Sequence, residues 1–549
     1  MTAKSVLIVG GGLRAVQVAL QQLDKGDEVY LVAETPLFSS HEMKVDSDGL
    51  SVKMAQARLD KWGDKVHVIA PADLVGIERA GGRYSVTARR RPTGVVADRC
   101  NSCEDCVLVC PTLIEDPCRS HFMLRTAIDS MNPGSGGYHI INEMPPCQRV
   151  CPLHLDVRGY TGYIADGRFK ESLKLIRERL PFPGIIGRIC TRPCEDVCNR
   201  GLADDSVAIC ALKRFAADRE QEDGISGTEP DGSTRERMGK RIAVIGSGPA
   251  GLTCAYEMAR IGHEVVVFES LPVVGGMLRV GIPEYRLPRE VLDREIAQVE
   301  RIGVQIKTSI TVGNDVYLED LREDYQAVFI GVGAHKSKKL GISGEEGKGV
   351  YYGVDLLREM NMGNKPVVGE RVVVVGGGNV AIDSARSMLR LGASDVSIIY
   401  RRTRAEMPAH NMEIEAALAE GIEIKYLVAP QEILLDDGKV KGLRCIKMKL
   451  GASDNTGRKA PVPVKSTEFD IHADMIIPAV GQVVDLHLIQ SCEIKDDIKK
   501  LIVDRETMAT NLEGVFAGGD AITGPRNAIE AIAAGKRAAI SIDKYLRNL

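Results

Sequence analysis

Three stretches of the chain share one pattern of apolar and polar positions. Each begins with a short apolar run, passes through a glycine-rich turn into a segment with apolar residues at helical spacing, and ends in a second apolar run. Short apolar runs predict buried parallel strands, and the helical spacing predicts a connecting helix. The pattern therefore predicts an α/β fold containing three β-α-β units, at residues 5–34, 241–270 and 371–404.

The second unit carries the residue types that a bound dinucleotide requires. Gly246 permits the tight turn, Gly248 lets the backbone approach a pyrophosphate, and Gly251 lets the helix pack closely on the strand. Glu269 ends the second strand, where a carboxylate can accept hydrogen bonds from ribose hydroxyls. These four residues predict a dinucleotide site.

A later strand and turn complete that site. Gly518 and Gly519 are followed by Asp520 and a helix of small residues. Asp520 at a strand end can hold the ribityl chain of FAD, so the second unit is predicted to bind FAD.

The third unit has a different second strand. Gly376, Gly378 and Ala381 take the three turn positions, but the strand ends in Arg401 and Arg402 rather than in an acid. Guanidinium groups suit the 2′-phosphate of NADP(H), which we favour over NAD(H). The alternative is a basic strand end that is merely solvated.

Cysteines are concentrated in one segment. Eleven of the 14 lie between Cys100 and Cys210, and a long chain with one such dense segment indicates metal binding rather than disulfides. The first run has the spacing of a ferredoxin [4Fe–4S] site rather than of zinc pairs, and its predicted ligands are Cys100, Cys103, Cys106 and Cys110.

A second group of cysteines follows in two short motifs. Its predicted ligands are Cys147, Cys151, Cys190, Cys194 and Cys198. Spacings of four residues put thiolates one helical turn apart on one face. We predict at least two [4Fe–4S] clusters, with the roles of Cys118 and Cys210 left open.

Composition narrows the class of protein. The chain of 549 residues is long enough for several domains, and its net charge of -4 gives no attraction toward nucleic acid or anionic membranes. No apolar run approaches the roughly 18 residues that span a bilayer. The opening MTAKSVLIVGGG enters a strand directly, unlike a signal peptide. We predict a cytoplasmic protein without membrane insertion.

Several segments carry a specific resemblance. The chain from about Pro146 onward resembles the small subunit of NADPH-dependent glutamate synthase and the equivalent modules of dihydropyrimidine dehydrogenase and the bifurcating ferredoxin:NADP oxidoreductase. The matching segments, in order, are CQRVCP, GRICTRPCEDVC, GSGPAGL, GGMLRVGIPEYRLP, GGGNVAIDSA, IIYRRTRAEMPA and GVFAGGDAITGP.

The resemblance implies a function as well as a fold. The flavin would accept hydride from NADPH and pass single electrons to the clusters, so no side chain is needed as a catalytic acid or base. Gly276 would belong to the FAD site. Relatives have further cysteines before the CxxxCP group and some use a Glu or Gln as a cluster ligand. Here the approach YHIINEMPP has no cysteine, and the helix VAICALKRF offers only Cys210.

The first 95 residues are an additional piece. Together with the CNSCEDCVLVCP run they resemble the start of the heterodisulfide reductase A subunit, with Gly10, Gly12, Ala15 and Glu34 in the expected positions. No closing half with a GGD motif belongs to this unit, so we favour a structural half-domain over a second FAD site.

The predicted fold class is α/β, with two nested Rossmann-like domains for FAD and NADP. They are preceded by a helical iron–sulfur domain and an N-terminal half Rossmann unit with a ferredoxin-like insert. The predicted domains are 1–96 (half Rossmann unit), 97–140 (ferredoxin-like segment), 141–225 (helical iron–sulfur domain), 241–365 with 480–549 (FAD domain) and 366–479 (NADP domain).

These features predict an NAD(P)H:acceptor oxidoreductase that serves a larger redox partner subunit or ferredoxin. Two alternatives stay open: the small subunit of glutamate synthase itself, and a non-catalytic electron-transfer or scaffold subunit of a heterodisulfide reductase-like complex. A disulfide reductase would need a redox CxxC beside the flavin, and the sequence between Cys254 and Cys445 contains no cysteine.

Overall fold

The structure is a computed structural model in which the chain forms two compact units, residues 1–144 and 145–549. The residues it describes are 4–9, 13–32, 59, 61–69, 72–80, 83–90, 113–115, 124–126, 128–130, 138–140, 145–222, 239–453, 457–486, 494–497 and 500–548. Gly10, Gly12, Glu34 and the cysteines from Cys100 to Cys118 lie outside these ranges.

The first unit opens with a small parallel sheet. Its strands Ser5–Val9, Glu28–Val32 and Val66–Ile69 pair in chain order, and helix Leu13–Asp24 connects the first two. The helix buries Val16, Ala19 and Leu23 against the sheet, the apolar face that its helical spacing predicts. The described residues after this sheet include three antiparallel strand pairs: Ala72–Ala80 with Arg83–Arg90, Leu113–Glu115 with Leu124–Thr126, and Ile128–Ser130 with Tyr138–Ile140.

The second unit begins with a bundle of short helices. Proline starts several of them, because its fixed φ suits the first helical turn and its missing N–H costs nothing there. The helices are Pro146–Val150, Val157–Ala165, Phe169–Arg177, Pro183–Ile189, Pro193–Asp196 and Ile209–Glu222, with a 3₁₀ turn at Asn199–Leu202.

A parallel sheet of five strands forms the next layer. From edge to edge its strands are Gln305–Lys307, Glu264–Phe268, Arg241–Ile245, Ala327–Ile330 and Val515–Ala517. The central strand is almost wholly buried, as expected for a parallel sheet covered on both faces. The last strand in this sheet comes from close to the end of the chain.

A second parallel sheet is formed by chain that lies between those strands in sequence. Its four strands, in spatial order, are Glu423–Tyr426, Asp395–Tyr400, Arg371–Val375 and Met475–Pro478. An antiparallel meander follows the first of them, with strands Val428–Asp436, Lys439–Ser453 and Lys459–His472. A short antiparallel pair joins Lys336–Ser337 to Gln482–Val483.

Helices flank both sheets. They are Pro249–Arg260, Met277–Val280, Arg289–Arg301, Leu318–Asp324, Gly353–Asn361, Asn379–Arg390, Asn411–Ala419, Asp520–Thr523 and Ala528–Arg547. Helix Pro249–Arg260 packs on the long helix Ala528–Arg547. At this contact a Cβ on Gly535 would lie 2.2 Å from the carbonyl oxygen of Ala250. Glycine at position 535 therefore allows the two helix backbones to approach closely.

The helical bundle packs on the five-stranded sheet through a continuous core that includes Tyr160, Ile185, Ile242 and Ile532. A buried carboxylate adds a polar connection: the N–H groups of Gly184 and Ile185 donate to Glu295 at 2.6 and 2.9 Å. Burial raises the pKa of Glu295 to about 7, although the two hydrogen bonds oppose the rise.

Candidate functional site

In the glycine turn at residues 246–251, neighbouring backbone leaves no room for a side chain at two of the glycines, and the third faces open space. Gly246 has φ +96°, and a Cβ there would lie 2.6 Å from the carbonyl oxygen of Gly331. A Cβ on Gly251 would lie 1.9 Å from the carbonyl oxygen of Gly246. A Cβ on Gly248 would meet nothing within 4 Å. The free space at Gly248, at the start of helix Pro249–Arg260, fits an approaching phosphate.

Two distant segments meet this turn. A Cβ on Gly276 (φ +52°) would lie 2.8 Å from Cα of Gly248, and one on Gly519 (φ +68°) would lie 2.9 Å from Cβ of Ala250. The structure thus brings together predicted residues from three parts of the chain. Glycine suits positions 276 and 519 because their left-handed backbone disfavours other residues.

Glu269 lies at the end of its strand with only 5% of its surface exposed. The N–H and the hydroxyl of Ser247 donate to Glu269 Oε2 at 2.8 and 2.6 Å, and the N–H of Leu271 donates to Oε1 at 2.8 Å. The hydroxyl of Ser270 also donates to Oε1, at 3.3 Å, so the carboxylate fixes the glycine turn with four acceptor contacts. A ligand hydroxyl would take the place of the exposed Ser270 hydroxyl.

Asp520 lines a cavity of about 140 Å³ together with Pro152, Gly519, Glu530 and Arg537. The Arg526 N–H donates to Asp520 Oδ1 at 3.1 Å, and burial raises the pKa of Asp520 to about 7. Pro152 directly follows Cys151 in the chain. One wall of the cavity at Asp520 is therefore the residue that follows a predicted cluster ligand.

The glycine turn at residues 376–381 repeats the arrangement of the turn at 246–251. A Cβ on Gly376 (φ +154°) would lie 2.3 Å from the carbonyl oxygen of Ala479, whereas one on Gly378 would meet only Pro408, at 3.9 Å. Ala381 is fully buried in the helix that follows. Gly377 is also required, because its Cβ would lie 2.5 Å from the ring of Tyr400. The contact was not predicted from the sequence, where its only signal was the aromatic residue at the strand end.

Arg401 and Arg402 occupy different environments. Arg401 is exposed at the strand end. Arg402 is only 5% exposed, and its Nε donates to the main-chain oxygen of Lys459 in the meander at 2.8 Å. The structure therefore does not bring the two guanidinium groups together on one surface.

A buried ion pair links the segment at 275–288 to helix Asn379–Arg390, which follows the glycine turn at 376–378. Arg286 donates to Asp383 Oδ2 at 2.6 Å and lies 3.2 Å from Glu413 Oε1. Burial raises the pKa of Asp383 to about 6, even though Arg286 lowers it. The pair was not predicted from the sequence, where its signal was an acid at a buried position of helix Asn379–Arg390.

The cysteines of the helical bundle form two groups, and the structure shows all of them as free thiols. The thiols of Cys190 and Cys194 both act on the pKa of Cys210, and these three thiols together with Cys151 raise the pKa of Lys213, so the side chains are neighbours. Burial raises the pKa of Cys147, as does the neighbouring thiol of Cys198. Cys100, Cys103, Cys106 and Cys110 lie outside the described residues.

Two buried polar side chains face these thiols. The hydroxyl of Tyr160 is buried without a hydrogen-bond partner, and burial and the thiols of Cys194, Cys210 and Cys151 raise its pKa well above the usual range. Lys213 is 2% exposed. Burial lowers the pKa of Lys213, but the thiols around it outweigh that effect and raise it.

Within the described ranges, no three His, Cys, Asp or Glu side chains converge as a single metal ion requires. An iron–sulfur cluster places several irons and sulfides between its ligands, so its thiolates stay farther apart than those of a single ion. The orphaned Tyr160 hydroxyl and the grouped thiols fit such a cluster.

In the described part of the chain, no helix combines the length and apolar character needed to cross a bilayer.

Comparison with known proteins identifies the class of protein to which the chain belongs. A family profile described as pyridine nucleotide-disulphide oxidoreductase matches residues 240–535. A second, described as dihydropyrimidine dehydrogenase domain II, 4Fe-4S cluster, matches residues 141–225. A variant of FprA from Mycobacterium tuberculosis has the same fold, with a TM-score of 0.50 at 20% identity over 56% of this chain and 85% of that one. The chain is therefore an oxidoreductase of the FAD- and NADP-binding class with a [4Fe–4S] domain.

Curated relatives narrow the class to a family. The NADP(+)-dependent formate dehydrogenase subunit beta of Moorella thermoacetica is 47% identical over 73% of this chain and 60% of its own length. The NADPH-Fe(3+) oxidoreductase subunit beta of Geobacter sulfurreducens is 41% identical over 73% and 64%. The glutamate synthase [NADPH] small chain of Escherichia coli is 34% identical over 73% and 89%.

The chain belongs to the family of the NADPH-dependent glutamate synthase small chain. This confirms the resemblance inferred from the sequence motifs. The chain spans less than two thirds of the length of the formate dehydrogenase and Fe(3+) oxidoreductase subunits that it matches.

Proposed function

We propose that the chain oxidises NADPH and passes the electrons through FAD to [4Fe–4S] clusters and on to a redox partner. The observation that carries this proposal is the cavity at Asp520. It is lined both by the segment that follows strand Val515–Ala517 and by Pro152, the residue after Cys151. Such a cavity lets a flavin held at Asp520 lie next to a cluster held by Cys151.

We assign FAD to residues 241–365 and 480–549, and NADP to residues 366–479. The nesting is supported by strand Val515–Ala517, which joins the five-stranded sheet after the chain has completed the four-stranded sheet. Gly248, Gly276 and Gly519 would bring backbone close to the FAD, and Gly246 and Gly251 would shape the turn that holds it. Glu269 and Asp520 would accept its hydroxyl hydrogens.

The protein residues position the reaction rather than take part in it. When bound, FAD supplies the conversion between a hydride, which carries two electrons, and the single electrons that clusters accept. Gly376, Gly378 and Ala381 would hold the nicotinamide nucleotide. Arg286 and Asp383 connect the two nucleotide units and would keep the nicotinamide in register with the flavin.

Selectivity for NADPH is assigned to Arg401, because Arg402 is buried against the meander. We expect Arg401→Met to raise the KM for NADPH about tenfold or more, since a lost charge-assisted hydrogen bond costs roughly 1.5–3 kcal/mol. The KM for NADH should change little. Steady-state kinetics with both nucleotides measures this, with Arg404→Met as the control, because Arg404 is exposed and paired with Glu415. An equal loss for both nucleotides would show that Arg401 serves the fold.

We propose at least two clusters. Cys100, Cys103, Cys106 and Cys110 would hold one, and the thiols of the helical bundle at least one more. Anaerobically purified protein should contain about 8 iron atoms per chain, or about 12 with a third cluster, and matching acid-labile sulfide. Metal and sulfide analysis checks this. Zinc in place of iron and sulfide would overturn the cluster assignment.

The electron acceptor is proposed to be a larger redox subunit or ferredoxin, in the cytoplasm. The relatives from Moorella and Geobacter are named as beta subunits, which supports a partner protein. The Escherichia coli relative favours a second candidate, the small chain of glutamate synthase, since the match covers 89% of that protein. An empty scaffold subunit is disfavoured by the retained open space at Gly248 and Gly378.

The experiment that tests the proposed function is NADPH-dependent reduction of a one-electron acceptor such as methyl viologen or ferredoxin by the anaerobic holoprotein. We expect turnover that is lost when FAD is stripped and recovered when FAD is added. A holoprotein with FAD and iron that transfers no electrons from NADPH would contradict the proposal.

A further inference from the structure

We propose that Cys210 is the fourth thiolate of a [4Fe–4S] site formed with Cys151, Cys190 and Cys194, and that Lys213 and Tyr160 offset the charge of that site. The inference rests on the proposed function and deepens it, because it assigns a ligand set within the helical bundle. It also replaces the Glu or Gln ligand that the family resemblance would suggest.

Hydrogen bonds fix Cys210 beside the other thiols. The N–H of Cys210 donates to Glu195 Oε1 at 2.8 Å, and Arg192 lies 3.6 Å from the other oxygen of Glu195. Glu195 directly follows Cys194, so its carboxylate ties the start of helix Ile209–Glu222 to the short helix Pro193–Asp196, which carries Cys194 and lies three residues after Cys190. Cys210 is consequently held beside Cys190 and Cys194.

The helix offers no other ligand at this place. Cys210 and Lys213 lie three residues apart, and therefore on one helix face. Cys210 is 1% exposed and Lys213 is 2% exposed. An ammonium group has no lone pair for iron at neutral pH, so of these two side chains only Cys210 can complete the coordination.

Lys213 cannot bind iron, but its positive charge can stabilise a negatively charged cluster. An oxidised cluster held by four thiolates carries about two net negative charges, and burying such charge is costly unless a cation lies nearby. Lys213 is buried, and the thiols of Cys151, Cys190, Cys194 and Cys210 are all close enough to act on its ammonium group. It therefore stabilises the negative charge of the site, and the reduced state more than the oxidised state.

The orphaned hydroxyl of Tyr160 is the second independent observation. This side chain is fully buried, its oxygen has no hydrogen-bond partner, and it lies among the same thiols. A buried hydroxyl without a partner is unfavourable. A cluster sulfur at this place would accept its hydrogen bond and remove the penalty.

The first test is Cys210→Ala, with Cys445→Ala as the matched control. Cys445 is also a fully buried thiol, but it lies in the antiparallel meander. We expect Cys210→Ala to lose about four iron atoms per chain and the corresponding electron paramagnetic resonance signal of the reduced protein, with FAD content unchanged. The control should keep all its iron. Unchanged iron content and spectrum in Cys210→Ala would overturn the assignment.

The second test keeps every thiol, and so also applies if Cys210→Ala does not accumulate. Lys213→Met and Tyr160→Phe should each retain iron but shift the midpoint potential of one cluster to a more negative value. The controls are Lys174→Met, which removes an exposed charge from the same bundle, and Tyr163→Phe, which removes a hydroxyl outside the thiol group. Unchanged potentials in both variants would overturn the roles of Lys213 and Tyr160.

The two proposals fail in different ways. Wild-type protein that binds zinc or no metal would contradict the proposed function itself. Wild-type protein with intact clusters whose Cys210→Ala variant keeps them all would contradict only the ligand assignment.

Discussion

Glu269→Ala is expected to purify without FAD and to lose roughly 3 kcal/mol of its free energy of unfolding. The substitution leaves four donors without their acceptor: the N–H and hydroxyl of Ser247, the N–H of Leu271 and the exposed hydroxyl of Ser270. A buried donor without an acceptor costs about 1–3 kcal/mol, and water entering the space left by the side chain recovers part of the total. The same change removes the carboxylate proposed to hold the ribose of FAD.

The measurement combines flavin absorbance of the purified protein with chemical denaturation. Glu264→Ala is the matched control, because Glu264 begins the same strand but is exposed. Glu269→Gln should give an intermediate loss, since the amide oxygen still accepts but the amide nitrogen faces a donor. Full FAD content in Glu269→Ala would show that this carboxylate serves only the turn.

Gly248→Ala should separate FAD binding from folding. Gly248 has φ −71°, which alanine adopts readily, and its Cβ would meet nothing within 4 Å. The fold should therefore tolerate the methyl group. In the holoprotein the methyl group would occupy the space assigned to the pyrophosphate. We expect FAD affinity to fall at least about tenfold, which corresponds to about 1.4 kcal/mol.

Equilibrium binding of FAD to the apoprotein, with thermal unfolding alongside, checks this expectation. Gly162→Ala is the control: its Cβ also meets nothing within 4 Å, but it lies in the helical bundle. If Gly248→Ala binds FAD as the wild type does, the phosphate does not approach this turn. By contrast, Gly251→Ala should unfold more readily without any ligand, because its Cβ collides with the backbone of Gly246.

Features that depend on local backbone geometry were predictable from sequence. The strand–turn–helix units follow from apolar periodicity, and their glycines follow from the conformation that such turns impose. Gly246 and Gly251 need no Cβ for reasons internal to the turn. The cysteine spacing of the helical bundle similarly indicated metal ligands before any fold was known.

Features that depend on contacts between distant segments were not predictable. Arg401 and Arg402 follow strand Asp395–Tyr400, and only the packing of the meander shows that Arg402 is buried while Arg401 is exposed. The ion pair of Arg286 with Asp383 joins residues 97 positions apart. The place of Cys210 beside Cys190 likewise depends on how the helices of the bundle pack.

The most direct test of the account is an anaerobic titration of the holoprotein with NADPH, followed by flavin absorbance and by electron paramagnetic resonance. FAD takes up two electrons and each cluster takes up one, so a chain with two clusters should accept about four electrons. We predict that the flavin band bleaches and that signals of reduced [4Fe–4S] clusters grow in the same titration. Bleaching that stops at two electrons per chain, with no cluster signal, would contradict electron transfer from the flavin to the clusters.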